Sequence, residues 1–119
     1  MTAGPSLEIT LVPRPVEMPR RRLKDFVLDI VVRNLGSEPI PDALEAARLL
    51  VNGEDSIHFA FSVSNGIREP DQYRVDPGQT KTISWPGLGP GLFDGRGDYT
   101  LVLIIGDAAS APVQVSVRR

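Results

Sequence analysis

The sequence predicts an all-β protein, folded as a sandwich of about seven antiparallel strands. Short segments in which apolar and polar residues alternate recur along the chain, and clusters of Gly, Pro, Asn and Asp separate them. Short strands with frequent turns are typical of two packed sheets rather than of a helical bundle. A chain of 119 residues suits one domain with one core, so we expect a single domain over residues 1–119.

The first two strands are predicted over residues 7–11 and 26–33. Every second residue in both segments is apolar, which is the period of a strand with one face in the core. The second strand is the clearest in this half of the chain, because turn-forming residues follow it directly at residues 34–39.

A hairpin is predicted in the middle of the chain. Residues 49–51 lead into Asn52-Gly53, a strong signal for a two-residue turn. The return strand is predicted over residues 57–63, where apolar residues again alternate up to a turn at Asn65-Gly66. One helical turn is predicted earlier, at residues 42–45, because an Asp and a Glu three residues apart have the spacing of a capping box.

The last three strands are predicted over residues 82–85, 99–105 and 113–117. The first should turn its Ile and its Trp inward, and a loop rich in Gly and Pro follows it at residues 86–97. Pro112 stands at the start of the final strand, where a missing N–H donor does least harm.

Composition and charge exclude several classes of function. The chain is 41% apolar and 24% charged, which is typical of a globular protein, and its net charge of −2 argues against nucleic-acid binding. The absence of cysteine excludes disulfides, thiolate metal sites and a cysteine nucleophile. No apolar run of about 18 residues and no signal-peptide pattern is found, so we expect no membrane insertion, while the compartment stays open.

The single histidine offers the best catalytic candidate. On the predicted strand, Ser56 and His58 would share one face, about 7 Å apart. A Ser-His pair also needs a third group and an oxyanion hole, so an enzyme would require Asp55 and a distant acid to converge on the same pocket. The sequence gives no sign of that arrangement, and we predict no catalytic residue.

Acidic residues in a glycine loop offer the best metal candidate. Asp94 and Asp98 could contribute to a calcium site if a third acid and carbonyl oxygens joined them, but the spacing is not that of an EF-hand. We interpret the loop as an ordinary turn in which Asp98 accepts backbone hydrogen bonds, and we predict no metal and no cofactor. The tripeptide Arg96-Gly97-Asp98, which integrins read, is interpreted as a coincidence.

Two groups of residues are predicted to bind protein. The first is the basic run Arg20, Arg21 and Arg22 with Lys24, which could contact an acidic partner or a phosphate-rich surface, or could simply keep a loop solvated. The second consists of apolar residues that alternation turns away from the core: Val27, Val31, Val102 and Ile104. Either these residues form outer-face patches that associate, or the N-terminal segment or the loop before residue 98 covers them.

Several turns and strand starts resemble those of a known group of domains. Tyr99, which opens a strand after Gly97-Asp98, resembles the tyrosine corner of immunoglobulin-like sandwiches. Residues 32–40, 75–80 and 97–101 are similar to bacterial immunoglobulin-like modules of the CARDB and intracellular proteinase-inhibitor (BsuPI) type, and the resemblance spans residues 26–117. It implies an immunoglobulin-like sandwich and an accessory binding module, and it carries over no functional residue.

The expected function is therefore a non-catalytic protein-interaction module that uses an outer sheet face or an exposed edge strand. A homo-oligomer is one form of such an interaction. Two alternatives stay open: a proteinase inhibitor that presents residues 86–98 to a protease, and a structural or self-assembling domain of a larger envelope assembly.

Overall fold

A computed structural model describes residues 6–64 and 69–119. Strands take 47% of the residues and helices 16%, and two sheets pack into a sandwich, so the all-β prediction is confirmed. The turn predicted at Asn65-Gly66 lies outside the described residues.

The described residues form nine strands, two short α-helices and one 3-10 segment. In chain order they are β1 (Leu7–Arg14), β2 (Glu17–Pro19), the 3-10 segment (Arg20–Asp25), β3 (Val27–Asn34), β4 (Ala47–Val51), β5 (Glu54–Asp55), α1 (Ile57–Ser64), β6 (Thr80–Pro86), α2 (Gly89–Leu92), β7 (Gly97–Ile105), β8 (Ala108–Ala109) and β9 (Val113–Arg118).

The strands form one small sheet and one large sheet. The small sheet has the antiparallel order β1-β3-β6, and the large sheet has the order β2-β9-β7-β4-β5, with β8 also paired to β7. The first, second and fifth predicted strands are therefore together in the small sheet as β1, β3 and β6. The third, sixth and seventh predicted strands are in the large sheet as β4, β7 and β9. The predicted β-sandwich is confirmed, and its immunoglobulin-like type stays a prediction.

Six of the seven predicted strands are present as β1, β3, β4, β6, β7 and β9. The sequence did not predict the short strands β2, β5 and β8. Strand β2 pairs parallel to β9, with Met18 opposite Val117, so the chain leaves β1 in one sheet and continues as β2 in the other. This pair is the exception to the antiparallel arrangement that was predicted.

The seventh predicted strand, over residues 57–63, is wrong because this segment is helix α1. Ser56 begins the helix, and its Oγ accepts a hydrogen bond of 3.0 Å from the backbone N–H of Phe59. Phe59 and Val63 are buried. The four alternating apolar residues form two pairs with a spacing of four, so each pair shares one face of a helix. Phe59 and Val63 are on the buried face, and Ile57 and Phe61 are on the exposed face.

The segment predicted as a loop, residues 86–97, contributes to the core. Leu88, Leu92 and Phe93 are buried, and helix α2 packs against the 3-10 segment. A Cβ atom at Gly89 would overlap the carbonyl oxygen of Leu23, so only glycine allows this close approach. The loop thus closes the space between the sheets with apolar side chains.

The helical turn predicted at residues 42–45 is a hydrogen-bonded turn. Asp42 Oδ1 accepts a hydrogen bond from the Leu44 N–H, and the Asp42 carbonyl accepts one from Glu45. The turn does not continue into a helix, because the chain enters β4 at Ala47. Leu44 is buried, so the turn anchors the start of β4 to the core.

One buried polar side chain organises the connection after β3. Asn34, only 1% exposed, donates through Nδ2 to the carbonyl oxygens of Glu38 and Val75, and its Oδ1 accepts from the Gly36 N–H. All three partners satisfy an amide that would otherwise cost free energy to bury. Asn34, which the sequence indicated as a turn former, therefore connects the residues after β3 to Val75 through buried hydrogen bonds.

Candidate functional site

The most distinctive surface is an apolar groove between α1 and the edge of β4. On one side of β4, all five residues of the strand pair with β7. On the other side of β4, only Leu50 and Val51 have a partner strand, which is β5. The backbone from Ala47 to Leu49 consequently has no neighbouring strand on that side within the described residues. Ser56 N–H donates to the Leu49 carbonyl and marks the point where the chain leaves the sheet to enter α1.

Helix α1 turns two large apolar side chains to this groove. Ile57 and Phe61 are 71% and 59% exposed, and both line a volume of about 390 Å³ together with Ala60 and Ser64 of the same helix. They are four residues apart and therefore lie on one helical face, opposite the buried residues Phe59 and Val63. Exposed apolar side chains grouped in this way are typical of a binding surface.

An ion pair forms one wall of the groove. Arg48 donates from Nε and Nη2 to the two carboxylate oxygens of Asp55, each at 2.9 Å. The hydrogen bonds from Arg48 lower the pKa of Asp55, and those to Asp55 raise the pKa of Arg48. Both side chains are more than half exposed, so the pair orients the β4–β5 hairpin more than it stabilises the fold.

The structure separates the two candidate catalytic residues. Ser56 caps α1 and accepts the Phe59 N–H, whereas His58 is the second residue of the helix. The strand geometry that would have placed them about 7 Å apart on one face is therefore wrong, because residues two apart on a helix do not face each other. The imidazole of His58 instead packs over Gly91 of α2, where a Cβ atom would overlap the ring.

The two acids of the glycine loop serve different hydrogen bonds. Asp94 Oδ1 lies 3.0 Å from the Tyr99 hydroxyl, whereas Asp98 lies in β7 and accepts a hydrogen bond of 2.7 Å from Ser116 Oγ. The expectation that Asp98 accepts backbone donors in a turn is wrong, since its partner is a side chain on the neighbouring strand β9. Across residues 6–64 and 69–119, no three metal-ligating side chains come together.

The tyrosine corner is present at the start of β7. The Tyr99 hydroxyl shares its proton between Asp94 Oδ1 and the carbonyl oxygen of Gly95, the latter at 2.8 Å and four residues upstream. Its ring packs on Phe93 with 4.8 Å between centroids. Burial and the neighbouring Asp94 carboxylate raise the pKa of Tyr99.

On the outer face of the small sheet, Val27 and Val31 are separated by a polar network. Both are half-buried, on the side of β3 that faces away from the core. Between them, Asp29 accepts hydrogen bonds from Arg14 of β1 and from Ser84 Oγ of β6, so the network crosses all three strands. The Ser84 and Arg14 hydrogen bonds lower the pKa of Asp29. These two valines therefore do not form one continuous apolar patch.

The outer face of the large sheet is more continuously apolar. Val102 lies opposite Leu50 of β4, and Ile104 lies opposite Arg48 on one side and Ala109 of β8 on the other. Val102, Ile104 and Leu50 are all half-buried. Of the two predicted covers, the loop over residues 86–97 buries Leu88, Leu92 and Phe93 in the core, and residues 1–5 lie outside the described residues.

The basic run lies in the 3-10 segment directly after β2. Arg20, Arg21 and Arg22 are all exposed, as is Lys24. Arg20 and Arg21 line a concavity together with Arg96 and Arg119, and Arg22 is not part of that lining. Arg20 and Arg21 of the predicted run are therefore close to two arginines from distant positions in the sequence. Arg22 is not.

The predicted interaction residues therefore occupy three separate surfaces, and none of them lines the α1 groove. Sequence reasoning missed Ile57 and Phe61 because both were assigned to a strand. The helical signal was nevertheless available: Ser56 precedes four apolar residues that form two pairs at a spacing of four.

Neither a protein-family model nor a curated protein matches this chain. The similarity to CARDB and BsuPI modules consequently stays a prediction. In the part of the chain that the structure describes, no helix combines the length and the apolar character needed to cross a bilayer.

Proposed function

We propose that this domain is a non-catalytic protein-interaction module that binds an extended segment of a partner protein in the groove between α1 and β4. The observation that carries the proposal is the edge of β4 from Ala47 to Leu49, which has no strand partner within the described residues and lies beside the exposed side chains of Ile57 and Phe61. Ala47 N–H and the Leu49 carbonyl are already hydrogen-bonded to Leu44 and Ser56. An extended peptide that adds a strand to the sheet would pair with the backbone groups of this edge that remain.

The groove also supports a preference for apolar side chains. Ile57, Ala60 and Phe61 offer apolar contact, and Arg48 with Asp55 offers a polar rim at the side of the groove. In peptide recognition of this kind, backbone hydrogen bonds contribute affinity and alternate side chains contribute specificity. We therefore expect a ligand with apolar residues at every second position on the side that meets α1.

The alternative of a proteinase inhibitor receives less support from the geometry. A substrate-like inhibitor segment has to be exposed and extended, whereas residues 89–92 are helical and Leu88, Leu92 and Phe93 are buried. Presenting these residues to a protease would remove them from the core.

Selection of ligands from a random-peptide library, followed by calorimetric titration, tests the proposal. Selected peptides should bind the wild-type domain, and Phe61→Ser should weaken binding about tenfold or more, as truncation of a central apolar anchor does. Val16→Ser is the matched control, because Val16 is also 59% exposed and lies in the connection between β1 and β2.

Methylated peptides separate strand addition from simple apolar contact. N-methylation at alternate backbone positions removes the donors that face β4, so one methylation pattern should abolish binding while the pattern shifted by one residue is tolerated. Equal binding of both patterns, or equal loss in Phe61→Ser and Val16→Ser, would contradict the proposed site.

A further inference from the structure

Five arginines meet at one end of the large sheet because of the strand directions. Strand β9 runs antiparallel to β7 and parallel to β2, so the start of β7 and the ends of β9 and β2 lie together, with Gly97 opposite Val117 and Pro19 opposite Arg118. Arg96 precedes β7, and Arg20 and Arg21 directly follow β2. We refer to Arg20, Arg21, Arg96, Arg118 and Arg119 as the arginine cluster.

Four members of the cluster surround a single concavity. Arg20, Arg21, Arg96 and Arg119 line a volume of about 520 Å³. An adjoining concavity of about 660 Å³ shares Arg96 and Arg119 and adds Arg118. A volume of this size holds a small ligand rather than a protein surface.

The four guanidinium groups around the first concavity have no acidic partner among residues 6–64 and 69–119. Ion pairs elsewhere in the described residues join Arg14 to Asp29, Arg48 to Asp55 and Arg74 to Asp76, but none involves Arg20, Arg21, Arg96 or Arg119. Arg118 has a neighbouring acid, Glu17, at 3.6 Å. Uncompensated cations of one sign repel each other and create a strongly positive local potential, although the whole chain carries a net charge of −2.

We propose that the arginine cluster binds a small, multiply charged phosphate ligand. Guanidinium groups match phosphate oxygens with paired, charge-assisted hydrogen bonds, and several of them converge here on one volume. This inference is independent of the proposed peptide site, which is formed by α1 and β4.

Charge density favours phosphate groups over an acidic peptide. Each phosphate carries between about one and two negative charges, so a short polyphosphate places several charges within one small concavity. Carboxylates on an extended peptide are spaced about 3.3 Å apart and point alternately to opposite faces, so fewer reach the same volume. The acidic net charge of the chain argues against a long nucleic acid as the occupant.

Calorimetric titration of inorganic tripolyphosphate into the full chain tests the inference. We expect saturable binding of one ion per chain, which weakens steeply as salt rises from about 50 to about 200 mM. Arg21→Gln and Arg96→Gln should each lower the affinity about tenfold, the effect of losing one charge-assisted contact. Arg33→Gln makes the same charge change on the small sheet and should leave the affinity unchanged.

Thermal unfolding distinguishes a loss of ligand binding from a folding defect, and the control ligands and the Arg33→Gln control distinguish it from non-specific attraction between charges. Because the substituted arginines are exposed and repel their neighbours, the substitutions should not lower the melting temperature without ligand. Tripolyphosphate should raise the melting temperature only where the cluster is intact. Absence of binding at low salt, equal loss in Arg33→Gln, or tighter binding of an oligoglutamate peptide or an oligonucleotide would overturn the proposal.

Discussion

At the residue scale, the tyrosine corner ties the start of β7 to the segment before it. The hydroxyl of Tyr99 has partners on Asp94 and Gly95, and its ring fills the space beside Phe93. A ring can be retained without its hydroxyl, so this position allows the hydrogen bond to be measured separately from the packing.

Tyr99→Phe should lower the free energy of unfolding by about 1 kcal/mol near neutral pH, because it removes one partly buried hydrogen bond and leaves the ring in place. The measurement is urea denaturation of both proteins. An unchanged free energy of unfolding would mean that the hydroxyl makes no net contribution.

The same pair of proteins should differ in alkaline solution. The raised pKa of Tyr99 means that the folded state holds the phenol proton more tightly than the unfolded state. The stabilisation is present below the ordinary pKa of about 10 and is lost as the pH rises through the folded pKa. Above about pH 10, the wild type should therefore lose stability more steeply than Tyr99→Phe; parallel curves would contradict the shift.

Asn34 illustrates how far the sequence predicts a single residue. Its position at the end of β3 and before Gly36 correctly indicated a turn. Its burial could not be predicted, because one of its partners, the carbonyl of Val75, lies 41 residues away and belongs to a different part of the chain. Local patterns identify the residue type a turn requires, whereas long-range hydrogen bonds depend on the tertiary fold.

At the element scale, α1 shows where alternation of apolar and polar residues predicts a strand for a segment that is helical. Residues 57–63 satisfy a strand pattern and a helix pattern at once, because residues at every second position include pairs four apart. The N-cap at Ser56 and the burial of only Phe59 and Val63 select the helix. The groove that we propose as the binding site therefore depends on the one element whose type the sequence predicted wrongly.

Ser56→Ala should destabilise the domain by about 1 kcal/mol, because it removes the acceptor for the Phe59 N–H. Chemical denaturation provides the measurement. Ser56→Asp is the matched control, since aspartate also caps helices and places a negative charge at the helix start. If both variants lost the same stability, the cap would not be the cause.

The strands were predictable for a clear physical reason. In β3, β7 and β9 the inward residues are apolar except for Asn34, so the period of two is visible along the chain. The outward residues are all polar in β9 and half polar in β3 and β7. The short strands β2, β5 and β8 have two or three residues each, too few for any period to appear. They form because longer strands beside them offer backbone partners.

At the scale of the whole molecule, the two outer faces differ in their capacity to associate. Val102 and Ile104 adjoin Leu50 in the large sheet, whereas Asp29 and its hydrogen bonds separate Val27 from Val31 in the small sheet. Self-association through a sheet face should therefore use the large sheet. The alternation predicted that all four residues face outward, but it did not predict the polar network between the two valines.

Ile104→Asp should convert a self-associated wild type into a monomer without unfolding it, because the substituted side chain is half-exposed on the outer face. Light scattering at several protein concentrations gives the mass, and circular dichroism reports folding. Val31→Asp is the control on the other sheet and should keep the wild-type mass. A folded Ile104→Asp variant whose mass is unchanged would exclude this face.

The parallel pairing of β2 with β9 also determines how the domain responds to mechanical force. Tension applied through the chain before β2 and after β9 pulls these two strands in opposite directions along their common axis. Their hydrogen bonds are then loaded together in shear instead of opening one after another from an end. Because forced unfolding depends on the unfolding barrier, we expect the short pairing of Glu17–Pro19 with β9 to contribute to the force at which this edge of the large sheet opens.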